Sequence, residues 1–147
     1  MDHAEFKEKS ILTTFFQTNA KAYIITLCSI LFELWYTLSI LDVIKVNYLM
    51  GIITFINIIL LFSLFTAAIK IKTYSKKWAI IALAIGIYAI FRALFIIPSV
   101  IKPFEKFAFN IILNLILGGL LIISGSITLK VIIQRKPYLN KMEKTNE

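Results

Sequence analysis

Apolar residues along this chain do not alternate with polar ones but run together in four long blocks, 22–44, 48–69, 78–101 and 110–133, separated by short Lys-containing stretches. A helix that crosses a bilayer needs roughly 20 mainly apolar residues, because the hydrocarbon core is about 30 Å thick and each helical residue rises about 1.5 Å. All four blocks reach that length. The pattern therefore predicts an all-α integral membrane four-helix bundle, a single domain over residues 1–147, with 1–21 and 134–147 as tails.

The first block is expected to stay in the mature protein. Its apolar run is about twice the length of a signal-peptide core, and no A-x-A-like cleavage site follows it. In the N-terminal tail, Phe6, Leu12, Phe15 and Phe16 interleave with Lys7, Glu8, Lys9, Thr13 and Gln17. That pattern suits either a short helix lying in the headgroup region or a frayed tail. Pro103 is placed to open the last helix, with Phe104, Phe107 and Phe109 at the outer interface. Pro137 is expected to end that helix, leaving 138–147 as a polar tail.

Composition agrees with this reading: 59% of the chain is hydrophobic and the mean hydropathy is +0.85. Charge adds orientation. Lys7, Lys9, Lys21, Lys70, Lys72, Lys76, Lys77, Lys130, Arg135, Lys136, Lys141 and Lys144 fall on one side of the four blocks, against Lys45, Lys102 and Lys106 on the other. Lys- and Arg-rich short loops are retained on the cytoplasmic side. Both termini and the 70–77 loop are therefore expected in the cytoplasm, and the location is a bacterial-type cell (cytoplasmic) membrane. The net charge of +8 is then a topology signal that also suits anionic headgroups, and nucleic acid is not expected as a partner.

The informative residues are those a membrane span should not contain. Glu33 lies midway along the first block and Arg92 near the middle of the third. A lone charge at that depth costs about 2.5 kcal/mol or more. Two opposite charges at matching depth are candidates to pair, since Arg presents two parallel donors to one carboxylate. Thr26, Ser29, Tyr36 and Thr37 share a helical face with Glu33. Around Arg92, Tyr88 is one turn back and Ser99 two turns on, while Ala82, Gly86, Ala89 and Ala93 form a small-residue stripe. The last helix carries a comparable stripe, Asn110, Asn114, Gly118, Gly125 and Thr128, and the second contributes Thr54 and Asn57. Small residues let helix backbones approach closely in lipid. The candidate intramembrane polar cluster is thus Glu33, Arg92, Asn57, Tyr88 and Asn114. Asp42, about 180° round the helix from Glu33, is read as interfacial beside Lys45. Pro98 deprives the Leu94 carbonyl of its helical donor and should bend the outer end of the third helix.

Several chemistries are excluded. Cys28 is the single cysteine and His3 the single histidine, so an internal disulfide, a C-x-x-C pair or a His/Cys metal set cannot form within one chain. Gly118-Gly119 is not followed by the Lys-Ser/Thr of a phosphate loop, and no nucleophile stands beside a base. Neither enzyme activity nor a cofactor is expected.

A carboxylate midway along the first of four short-looped helices resembles the small multidrug resistance transporters, in which such a Glu binds protons and cationic drugs in alternation. Glu33 is the position that matches. That resemblance implies coupled transport, but the family lacks an Arg in its third span and shows little Lys/Arg bias, so neither substrate nor mechanism is carried over. Four-span eicosanoid and glutathione enzymes use clusters of Arg, Asn and Tyr near one membrane face, which the solitary Arg92 does not reproduce. Three roles for the cluster stay open: a structural ion pair that sets helix register, a proton or cation site at Glu33 tuned by Arg92, and a charge that pairs with another subunit. The expected function is an accessory or interaction subunit or a self-associating bundle; the alternative is a small proton- or cation-coupled transporter or channel. Its partners are the lipid bilayer and either a second copy or a larger membrane protein.

Overall fold

The computed structural model describes residues 19–41, 48–100 and 104–145. They form helices α1 (Ala20–Leu41), α2 (Tyr48–Lys72), α3 and α4 (Phe104–Thr145). Helix α3 runs over Lys76–Phe91, widens into a π-helical turn at Arg92–Ile96 and ends with Ile97–Val100. Four segments, Ala20–Leu41, Gly51–Lys72, Lys76–Ile96 and Ala108–Gln134, are long and apolar enough to cross a membrane. The N-terminal aromatic segment, Asp42, Lys45 and Pro103 lie outside the described residues.

The surface is inverted relative to a water-soluble protein. Glu33, Arg92, Asn57, Asn110, Asn114, Thr26, Ser29, Ser124 and Thr128 are buried, while Leu31, Trp35, Phe55, Phe62, Ile87, Phe95 and Ile133 are exposed. Apolar side chains gain nothing by hiding from lipid, whereas polar ones must find partners inside. Three apolar layers stack along the bundle. Ala22, Ala67, Ile71 and Ala82 form one end. Ile30, Leu64, Ala68, Ala89, Leu117 and Leu121 fill the middle, and Tyr36, Ile40, Ile97 and Leu113 form the other end.

Each helix packs on its sequence neighbours, and α4 closes the ring against α1; the α2–α3 contact is the lightest of the four. At the α3–α4 crossing a Cβ on Gly118 would lie 2.7 Å from the Gly86 carbonyl oxygen, and one on Gly125 would lie 2.9 Å from that of Ala79. The two backbones touch there, and only glycine permits it.

Helix α2 passes into α3 through a Schellman turn, in which the Ser75 N–H donates to the Lys70 carbonyl at 3.0 Å and the Tyr74 N–H to that of Ile71 at 3.0 Å. Tyr74 takes the left-handed position, φ 59°, where glycine is usual and a side chain costs about 1 kcal/mol. Lys70 and Lys72 occupy the last turn of α2. Cations there complement the helix dipole, which carries the helix past the end of the apolar block at 69.

The structure corrects one expectation about proline and adds a π-helical turn at the other. Helix α4 does not end at Pro137 but continues to Thr145, 42 residues in all. Proline removes one backbone donor, and at this position, beyond the span that ends at Gln134, water can satisfy the carbonyl it releases. The surrounding Arg, Lys, Leu, Met and Glu favour helix. At Pro98, helix α3 accommodates the ring by widening. The Ile97 N–H reaches back five residues to the Arg92 carbonyl, so the missing Pro98 donor is absorbed in a π-helical turn.

Candidate functional site

The central polar cluster lies between the middle and outer apolar layers, and each of the four helices supplies one hydrogen-bonding member. Helix α1 positions Glu33 among Thr26, Ser29, Tyr36 and Thr37, all buried on one face. Helix α3 supplies Arg92 at the start of its π-helical turn, α2 supplies Asn57 and α4 supplies Asn114.

Arg92 is the hub. Its Nη2 donates to Glu33 Oε2 at 2.5 Å and its Nη1 to Glu33 Oε1 at 3.0 Å, so one carboxylate is gripped at both oxygens. The same Nη1 donates to Asn57 Oδ1 at 3.0 Å, and Nε donates to Asn114 Oδ1 at 2.6 Å. Asn114 is itself aimed by its Nδ2, which donates to the Asn110 carbonyl at 2.8 Å. Glu33 and Arg92 are 1% and 3% exposed, so their charges are compensated by one another and by the two amides rather than by solvent. One buried donor is left over: Asn57 Nδ2 has no hydrogen-bond partner in the structure.

Two aromatic rings flank the guanidinium. Tyr36 lies 4.0 Å from Arg92 Cζ and Tyr88 lies 5.7 Å away, both within cation–π range. The structure thus brings all five sequence-derived residues, Glu33, Arg92, Asn57, Tyr88 and Asn114, to one locus. Tyr36, three residues after Glu33 on the same face, is nevertheless the closer ring. Thr37 stays out of the cluster because its hydroxyl donates to the Glu33 carbonyl at 2.8 Å, and Thr54 is only half-buried.

A second polar ladder joins α1 to α4 toward the other end of the bundle. Asn19 Nδ2 donates to Thr128 Oγ1 at 2.8 Å. The hydroxyls of Thr26 and Ser124 share a hydrogen bond of 2.6 Å, beside the Ala22 carbonyl, which lies 2.8 Å from each. Asn19 and Ser124 were not among the sequence-derived candidates. The available signals were weak: Asn19 is a helix-capping residue type directly before α1, and Ser124 lies one turn before Thr128.

Glu33 is held by an arginine rather than set beside a nucleophile. Among the described residues no three His, Cys, Asp or Glu side chains converge on a point that would hold a metal. The chain matches no known family model, and no characterised protein or solved structure is significantly similar to it.

Proposed function

We propose that this chain is a non-enzymatic multi-pass protein of a cytoplasmic membrane, with both termini in the cytoplasm, acting as a small accessory or interaction subunit or as a self-associating bundle. The observation that carries the reading is the contrast between a closed polar interior and a poorly covered α2. Both Glu33 oxygens accept from Arg92, and the residue is 1% exposed, so the charged pair serves the bundle as a clasp. In α2 only 22% of the apolar window is buried, against 39%, 39% and 44% in the other three spans. Its Phe55, Ile59, Phe62 and Ile69 recur at three- and four-residue steps or whole turns, and all are exposed. A helix surface of that kind suits a neighbouring transmembrane helix.

The test is purification of the C-terminally tagged protein from its native membrane in mild detergent, with stoichiometry of whatever accompanies it. The reading expects a membrane protein or a second copy at fixed ratio, lost or weakened in Phe55→Ala/Phe62→Ala. Recovery as a lone monomer would overturn it. The alternative is proton- or cation-coupled transport through Glu33, the one buried carboxylate among the described residues. In vesicles, Glu33→Gln/Arg92→Gln, which strands neither charge, should abolish coupled transport if that alternative holds, and should leave co-purification intact if the first reading holds.

A further inference from the structure

We infer that the lysine-bearing end of the bundle is a binding site for anionic lipid headgroups, centred on Lys21, Lys72 and Lys130. One residue there ties the start of α1 and the end of α2 to α4. The Asn19 N–H donates to the Lys72 carbonyl at 3.2 Å, while the Asn19 side chain donates to Thr128 at 2.8 Å. Lys21 is two residues from Asn19, Lys130 is two residues from Thr128, and Lys72 is the bonded residue itself. Asn19 therefore links the segments of α1, α2 and α4 that carry these three lysines. Lys72 Nζ lies 5.3 Å from the centre of the Tyr23 ring, which steadies its ammonium at the bundle end.

Lys70, Lys76 and Lys77 add to this collar across the Schellman turn, and all six lysines are exposed. Among the described side chains Glu33 is the only carboxylate, and it is taken by Arg92. The collar has no acidic partner among them. What it meets is a matter of depth. Ile24, Ile69 and Ile80 are exposed on the bundle side of Lys21, Lys70 and Lys77, one turn or less away, so apolar surface gives way directly to ammonium groups. Lysines at that boundary extend toward phosphate, and each contributes about a fivefold gain in association with an anionic surface.

The inference rests on insertion in a bilayer, and the experiment separates the two. Trp35→Phe leaves Trp78, in the first turn of α3, as the reporter. Its quenching is compared in vesicles of phosphatidylcholine with brominated chains on either phosphatidylcholine or phosphatidylglycerol. Preferential association with phosphatidylglycerol, about threefold or more, is expected from charge at this surface. It should fall several-fold in Lys21→Gln/Lys72→Gln/Lys130→Gln, which leaves Lys70, Lys76 and Lys77, and persist in Lys45→Gln/Lys102→Gln/Lys106→Gln, which removes equal charge elsewhere. Quenching by both lipids without preference, or equal loss in the two triple variants, would overturn the inference while leaving insertion standing. No quenching by either lipid would overturn both.

If the first triple variant loses helicity, the unmodified cluster is titrated instead. Loss of preference with ionic strength supports the headgroup assignment. Loss with inorganic phosphate at constant ionic strength would show that the ligand is soluble phosphate, and would overturn it.

Discussion

Arg92 contacts partners on the other three helices, so its replacement disturbs more than one pair. Its four hydrogen bonds go to Glu33, Asn57 and Asn114, and removing either charge strands the other in a low-dielectric interior. Glu33→Gln and Arg92→Gln are each expected to destabilise the bundle by about 3–5 kcal/mol, with the double variant recovering much of that loss. Reversible unfolding in detergent or bicelles measures the cycle, and simple additivity would show that the two side chains do not act as a pair. Both charges were legible in the sequence because each interrupts a long apolar block, and Asn57 and Asn114 because each is a polar residue within an apolar block. The ranking of the rings was not. Tyr36 and Tyr88 stand three and four residues from a charge, and only the placement of α1 against α3 makes Tyr36 the nearer at 4.0 Å.

Helices α3 and α4 show how one position in an element can decide a contact that its neighbour does not. Gly118 and Gly119 are adjacent, yet a Cβ on Gly118 would lie 2.6 Å from Ile90 Cγ1 and 2.7 Å from the Gly86 carbonyl oxygen, whereas one on Gly119 meets nothing within 4 Å. Gly118→Ala should prise the two helices apart at a cost of about 1–3 kcal/mol. Gly119→Ala should be neutral or slightly stabilising, because alanine favours helix by about 1 kcal/mol over glycine. Equal effects of the two substitutions on thermal unfolding would remove the backbone contact as an explanation. The small-residue stripes were readable from spacing, but which glycine faces α3 depends on the helix crossing. The π-helical turn at Arg92–Ile96 was readable only as a disturbance at Pro98, since a proline leaves open whether a helix bends or widens.

One end of the bundle is lysine-rich, and there Asn19 joins the start of α1 and the last residue of α2 to Thr128 of α4. With twelve basic residues on that side of the spans and three on the other, the positive-inside rule predicts a cytoplasmic 70–77 loop. In a Cys28→Ser background, Thr73→Cys should react with a membrane-impermeant thiol reagent only after the cell is opened, and Lys102→Cys should react from outside. The reverse pattern would invert the topology. Helix α4 is longer than a span requires: 42 residues at about 1.5 Å each make about 63 Å, twice the hydrocarbon thickness of a bilayer.

Local composition was enough to indicate four spans, a polar interior and two opposed charges at matching depth. These follow from the cost of placing polar groups in hydrocarbon, a cost each residue carries wherever its neighbours lie. Tertiary structure alone decided that Arg92 grips both oxygens of Glu33, that Asn19 joins α1, α2 and α4, and that Gly118 lies against the Gly86 carbonyl of α3. The three contacts depend on helix rotation and separation, set jointly by residues far apart in the chain. The continuation of α4 through Pro137 depends instead on where the helix leaves the apolar span.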